Sequence, residues 1–206
     1  MRFDDRDDAA RQLVARLTHL VLAHPLVLAI PRGGVPLGRV IADALHAELD
    51  VVLVRKIGAP FDPEFAVGAV GESGAVYVAG HAARAGANES YVAAEAARQL
   101  ELIRRRRAQY SAVRPAIPIT GRTVILVDDG LATGATAVSA IREIRSQSPA
   151  KIVCAVPVAS DEAVAAVAPL VDEFICVEVP PGFQGVGQFY RDFAQVSDEE
   201  VGRLLA

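Results

Sequence analysis

Cysteine is scarce in this chain: Cys154 and Cys176 are the only two in 206 residues. Each sits in an apolar, strand-like run (152–158 and 174–179), where a small buried hydrophobe is the expected role. Two cysteines make no disulfide framework, and a cytoplasmic location is expected, where a disulfide would not persist. His19, His24, His46 and His81 have no ligand spacing with one another or with cysteine, so no zinc site is expected. No run reaches the roughly 18 uncharged apolar residues that a membrane span requires; the longest candidate, 20–30, is short and contains His24 and Pro25. Residues 1–8 hold no basic segment followed by an apolar one, so no secretory leader is expected there. Charge of neither sign dominates: 25 acidic against 21 basic residues leave a formal net charge of −4, which disfavours broad binding to nucleic acid or to an anionic membrane. No Gly-Lys-Ser/Thr phosphate loop and no Gly-x-Gly-x-x-Gly opens a helix, which weakens kinase and dehydrogenase readings.

What the chain has is a globular composition, 52% hydrophobic against 22% charged, at a length suited to one domain spanning 1–206. Ala10, Leu13, Val14, Leu17, Leu20 and Val21 recur at helical spacing and predict a helix over 5–22. Residues 26–30 form a short apolar run ending in Pro31, Arg32, Gly33 and Gly34, a strand followed by a tight loop. Pro36 suits the first turn of the helix that follows. A second strand is expected at 51–54, ending in Arg55 and Lys56. The pattern resumes with strands at 123–127, 151–158 and 174–179, separated by helices at 135–146 and 161–168. Strand alternating with helix predicts an α/β fold: a doubly wound, mainly parallel sheet of about five strands. An insertion at roughly 60–120 interrupts it, with a hairpin around Gly71–Gly74 and a long helix capped by Asn88. Arg114 and Pro115 open an extended linker that closes the insertion. Ser197 and Glu200 form a capping box for a C-terminal helix.

The segment Val124–Thr136 carries the chemistry. A buried parallel strand ends in two adjacent carboxylates, Asp128 and Asp129, and ligands of open α/β sheets bind beyond the carboxyl ends of the strands. Thr133, Gly134 and Thr136 then stand at the start of a helix, where free N–H groups, hydroxyls and the positive end of the helix dipole make an anion site. One loop therefore offers acceptors for hydroxyls and donors for a phosphate, the polarity pattern of a ribose 5-phosphate.

The full string in its strand–loop–helix setting resembles the PRPP-binding signature of type I phosphoribosyltransferases, and the likeness extends over about 25–57 and 121–180. The resemblance implies that Asp128 and Asp129 take the ribose diol, and that Ala132, Thr133, Gly134, Ala135 and Thr136 take the 5′-phosphate. The loop Arg32, Gly33 and Gly34 is similar to the family's pyrophosphate loop, and Arg55 and Lys56 would meet pyrophosphate charge. A mobile lid would lie in 57–70 and beyond. Gly130 stands where the signature usually has a larger residue and is expected to loosen the loop. Ala132 stands where hypoxanthine–guanine enzymes carry an aspartate, which argues against that acceptor class without choosing another.

The implied reaction, of the nucleotide-metabolism kind, moves ribosyl 5-phosphate from PRPP to a nitrogen nucleophile, a nucleobase or related heterocycle, and releases pyrophosphate. Asp128, Asp129, Lys56 and Arg32 are the catalytic candidates. Mg²⁺ would be bound mainly through PRPP, with Asp128 or Asp129 reaching it through water and no direct protein ligand. In the family a hood built from the termini, here roughly 180–206, selects the small-molecule acceptor; Phe183 and Tyr190 are the candidates for stacking on a base. A homodimer is also implied. A PRPP-sensing regulator of the same fold without turnover is the second reading, and a hydrolase or phosphotransferase using the same anion site is the third. The run Arg104–Arg107 fans through about 300° of a helix. It forms no single basic face, so solvated or subunit-facing arginines are expected ahead of an RNA contact.

Overall fold

The computed structural model describes residues 3–20, 23–63, 65–110 and 116–206. In chain order the elements are α1 (Arg6–Leu17), β1 (Leu26–Ala29), α2 (Gly34–Leu45), β2 (Glu48–Val51), β3 (Val54–Gly58), β4 (Ala66–Gly71), β5 (Val76–Val78), α3 (Glu89–Tyr110), β6 (Thr123–Val127), α4 (Ala135–Ser146), β7 (Lys151–Val158), α5 (Asp161–Val167), β8 (Glu173–Glu178) and α6 (Asp198–Leu205). Five strands pair in parallel in the order β2-β1-β6-β7-β8. From β1 the chain winds through α2 to β2 on one side; from β6 it winds through α4 and α5 to β7 and β8 on the other. The direction of winding reverses between β1 and β6, and the crevice beyond their carboxyl ends is where such sheets bind ligands.

Apolar strand residues alternate between two faces, as the strand period dictates. Val27, Ala29, Ile125, Val127, Val153 and Ala155 pack on the side of α1 and α2. Leu26, Leu28, Val124, Leu126, Ile152, Cys154 and Val156 pack on the side of α4 and α5. Cys154 is thus an ordinary core residue, and burial pushes its thiol well above the usual range. Cys176 is half-buried and pushed up to about 11 by the same cause. The helix starts follow their capping residues: Asp5 accepts from the Asp8 N–H at 2.8 Å, Asn88 from Tyr91 at 2.9 Å, Ser160 from Ala163 at 3.0 Å and Ser197 from Glu200 at 3.1 Å.

Three expectations need correction. Helix α1 stops at Leu17, so Leu20 lies beyond it, while Val21 falls outside the described residues, as do Arg114 and Pro115 of the linker. The second sheet strand is 48–51, not 51–54; Val52 donates a last hydrogen bond to the Ala29 carbonyl at 3.1 Å, Val52 and Leu53 are buried outside any strand, and Arg55 and Lys56 lie inside β3. An unbroken apolar run concealed the point where the chain leaves the central sheet. Strand β8 is half-buried throughout because it is the sheet edge, covered on fewer sides than the central strands.

The inserted hairpin is a three-stranded antiparallel sheet, β3-β4-β5, with β3 packed along α3. Buried polar contacts anchor its inner end. Arg107 Nη1 meets Asp50 Oδ1 at 2.6 Å, its Nη2 meets Glu72 Oε2 at 2.6 Å, and the same Nη2 donates to the Val51 carbonyl at 2.8 Å. Glu143 of α4, 3% exposed, accepts from both the N–H and the hydroxyl of Ser73 at 2.8 Å. The arginine run therefore does not behave as one unit. Arg107 is internal, with a side chain 13% exposed, whereas Arg104 is an exposed residue paired with Glu101 one helical turn away. Arg107→Met would leave Asp50 and Glu72 without their cation and is expected to destabilise by about 3 kcal/mol. Arg104→Met is expected to stay within about 0.5 kcal/mol of the parent. Urea denaturation distinguishes the two; equal effects would contradict the assignment of Arg107 as the anchor.

Candidate functional site

The crevice between β1 and β6 brings two loops into contact. A Cβ built on Gly33 would lie 1.9 Å from Asp129 Oδ2, so only glycine allows the 31–34 loop to approach the acidic pair this closely. The Pro31–Arg32 peptide in that loop is cis. Arg32 reaches outward, its Nη1 3.9 Å from Asp198 Oδ1, and Asp198 also accepts the Tyr110 hydroxyl at 2.7 Å.

Asp128 and Asp129 follow directly on β6, and the Asp129 N–H donates to Asp128 Oδ1 at 2.9 Å. Burial raises the Asp128 carboxyl well above its ordinary value, and the neighbouring Asp129 charge adds to the shift. Asp129 is raised as well by burial, against the opposing pull of Arg6. Arg6 is the cation that grips the pair: Nε and Nη2 donate to Asp129 Oδ2 at 3.0 and 2.8 Å. Sequence reading missed this residue. It is a single arginine among the aspartates of 4–8, and nothing local points to a partner 123 positions away.

The loop after the pair is held at its base and open at its tip. Leu131 donates to the Val158 carbonyl at 2.9 Å, Ser160 N–H donates to the Leu131 carbonyl at 3.0 Å, and the Ser160 hydroxyl bonds the Ala132 carbonyl. Gly130 does not loosen the loop: it is buried, and a Cβ there would lie 2.6 Å from Val186, so glycine admits the C-terminal segment onto the loop. Ala132, Thr133, Ala135 and Thr136 are exposed, and Gly134, at φ 74°, turns the chain into α4. The first-turn N–H groups of α4, which a helix cannot pair with its own carbonyls, start at this exposed tip.

The remaining sequence-derived residues scatter around this centre. Arg55 donates to Gln99 Oε1 at 2.5 Å and lines a small pocket of about 60 Å³ together with Pro31, Arg106 and Thr136. Lys56 is exposed beside it, on a cleft of about 510 Å³ between β3 and α3. Both therefore approach from the hairpin instead of from the end of a central strand. Phe183 is half-buried against Phe189, with centroids 5.3 Å apart. Tyr190 is 1% exposed and its hydroxyl donates to the Asp129 carbonyl at 2.7 Å. Its ring is packed between Phe3 and Phe193, which leaves it a support for the acidic loop and no open stacking face. Among the described residues no group of three or more His, Cys, Asp or Glu is arranged to hold a metal.

The acidic pair has a consequence for stability. A carboxyl raised on folding holds its proton in the native state at pH values where the unfolded chain has released it, so stability is lost as pH climbs from about 4 through the raised value. Asp128→Asn removes this penalty while keeping an oxygen to accept the Asp129 N–H. The variant is expected to melt above the parent at pH 7, with the difference shrinking as the pH falls toward about 4. A variant that melts below the parent at pH 7 would contradict the burial argument.

Known proteins share both the sequence and the fold. The phosphoribosyl transferase domain matches residues 6–190. Two Mycobacterium tuberculosis proteins, from strains CDC 1551 and H37Rv, carry provisional names as phosphoribosyl transferases. Each is 45% identical over 205 residues, 98% of this chain and 46% of its own length. The chain thus spans about half the length of these curated relatives. A crystal structure of a Thermus thermophilus protein superposes with a TM-score of 0.91 at 47% identity, covering 100% of this chain and 98% of that one. A hypothetical Neisseria gonorrhoeae protein solved with bound ppGpp shares the fold at a TM-score of 0.56 and 15% identity, over 99% and 94% of the two chains. The central parallel sheet with its separate antiparallel hairpin is the type I phosphoribosyltransferase fold, and the chain belongs to the phosphoribosyl transferase domain family.

Proposed function

We propose that this protein is a PRPP-dependent phosphoribosyltransferase that joins ribosyl 5-phosphate to a nitrogen of a planar heterocycle. The observation that carries the reading is the contact between the 31–34 loop and Asp129 at the switch point of the sheet. It sets an acidic pair, an exposed helix start and a glycine loop around one crevice. Two carboxylate oxygens, Asp128 Oδ2 and Asp129 Oδ1, receive no hydrogen bond from any other described residue, and they suit the two hydroxyls of a ribose. The 132–136 tip suits the 5′-phosphate, since its N–H groups and the helix dipole favour an anion.

The cations nearby suit the diphosphate. Arg55 bonds a neutral amide, Arg106 has no carboxylate partner among the described residues, and Arg32 meets Asp198 only at 3.9 Å. Arg55 and Arg106 line the space between Pro31 and Thr136, and Arg32 belongs to the 31–34 loop itself. As the nitrogen lone pair attacks C1, the C1–O bond breaks and its electron pair leaves with pyrophosphate. Positive charge held in place around that leaving group stabilises the transition state without reorganisation. Mg²⁺ fits the donor set. A buried carboxyl whose proton affinity is raised by a neighbouring carboxylate gains from a cation held through water and ligand oxygens, and such an ion would supply further charge neutralisation. Ala132 speaks against a hypoxanthine–guanine acceptor. The dispersal of Arg104–Arg107 into an internal anchor, a paired surface residue and a crevice residue speaks against a nucleic-acid patch.

Calorimetric titration with PRPP in the presence of Mg²⁺ is expected to give binding in the micromolar range, a Kd corresponding to about −8 kcal/mol at 1 μM. Asp129→Asn, with unchanged circular dichroism and folding cooperativity, is expected to lose at least about tenfold in that affinity, because a carboxylate acceptor of charge-assisted hydrogen bonds is replaced by an amide. Unchanged PRPP affinity in the folded variant would remove the acidic pair from the site.

A further inference from the structure

Asp129 is held by one residue from each terminal segment, Arg6 and Tyr190. Arg6, the first residue of α1, places two N–H groups on the same oxygen, Oδ2. The guanidinium is itself clamped: Nη1 donates to the Ala194 carbonyl at 2.8 Å, and its carbon lies 4.1 Å from the centre of the Phe193 ring. The Arg6 and Asp129 side chains are 12% and 14% exposed, so this pair is shielded from water and geometrically defined, unlike an ordinary surface pair. Tyr190 fixes the backbone of the same residue through its hydroxyl. The two chain ends are joined by main-chain bonds: Phe3 N–H to the Phe189 carbonyl at 2.7 Å, Arg191 N–H to the Phe3 carbonyl at 2.9 Å, and Asp192 N–H to the Asp4 carbonyl at 2.9 Å.

Oδ2 also faces Gly33, the residue whose missing Cβ makes room for it. It takes both Arg6 hydrogen bonds, whereas Oδ1, 3.0 Å from the same Cβ position, receives none from another described residue. We infer that Arg6 is a positioning residue for ribose recognition. By locking Oδ2 it fixes the direction in which Oδ1 is presented, and Phe193 and Ala194 make a docked C-terminal segment a condition for that lock. The inference rests on the proposed reading of the crevice as a PRPP site. Arg6 is placed to act first on the ribose end of the ligand, since its side chain bonds Asp129 and Ala194 and makes no hydrogen bond to the 31–34 or 132–136 loop among the described residues.

The test compares two ligands, PRPP and inorganic pyrophosphate, the second carrying no ribose. Arg6→Met is expected to weaken PRPP binding by about 10- to 100-fold, by analogy with the loss of residues that orient metal-binding side chains. It is expected to leave pyrophosphate affinity within about twofold, and Phe193→Leu is expected to give a smaller loss of the same selective kind. Arg6→Lys keeps the charge but not the two-pronged hold, and is expected to fall between Met and the parent; it serves as the decisive variant if Arg6→Met does not fold. Equal loss for both ligands, or no loss for either, overturns the inference. So does an Arg6→Lys protein that binds PRPP like the parent. A parent protein that binds pyrophosphate but not PRPP overturns the underlying function instead, which separates the two failures.

Discussion

Two neighbouring carboxylates at the end of a buried strand repel each other and resist desolvation, and the architecture around the crevice answers that problem. Asp128 is left with its proton affinity raised by burial and by Asp129. Asp129 is held by Arg6. The remedy reaches far along the chain, because the arginine starts α1 and its clamp comes from residues 193 and 194. A pair so costly to keep is poor material for stability alone, and such groups cluster where a protein does chemistry. The acidic loop thus explains why the chain ends meet where they do.

The same loop accounts for two glycines that carry no chemistry of their own. Gly33 gives up its side chain so that the 31–34 loop can touch Asp129, and Gly130 does so for Val186. Close approach at both positions leaves the acidic loop little room to move, which suits the positioning and charge stabilisation of the proposed reaction. The hairpin contributes differently. It is anchored through Arg107, Glu72, Ser73 and Glu143 at its inner end, while its outer loop carries the highly exposed Phe61. Arg55, near the anchored end, is presented toward Thr136 by a fixed part of the hairpin.

Much of this was legible in the sequence where the determinants are local. Val124–Thr136 could be read because strand, acidic pair and helix start are contiguous, and the doubly wound parallel sheet followed from alternating strands and helices. The caps at Asn88 and Ser197 were legible for the same reason. Legibility failed where the deciding contact is distant or where the pattern is continuous. The exit from β2 is hidden in the apolar run 51–54, since Val52 and Leu53 are buried without being in a strand. Tyr190 looked like a stacking residue because aromatics among glycines suit that role, yet it is enclosed by Phe3 and Phe193. Gly130 read as a loosening residue because its neighbour Val186 lies on another segment. Arg6 had no signal at all, because its partner lies across the fold.

In the proposed reading, one crevice would hold the ribose on Asp128 and Asp129, the 5′-phosphate on 132–136 and the diphosphate by the 31–34 loop. A crystal structure of the protein with PRPP and Mg²⁺ tests it most directly. The expected result is both ribose hydroxyls within hydrogen-bond distance of Asp128 Oδ2 and Asp129 Oδ1, with the Arg6–Asp129 pair intact. Ligand density in the cleft between β3 and α3, or a ribose turned away from the acidic pair, would contradict it.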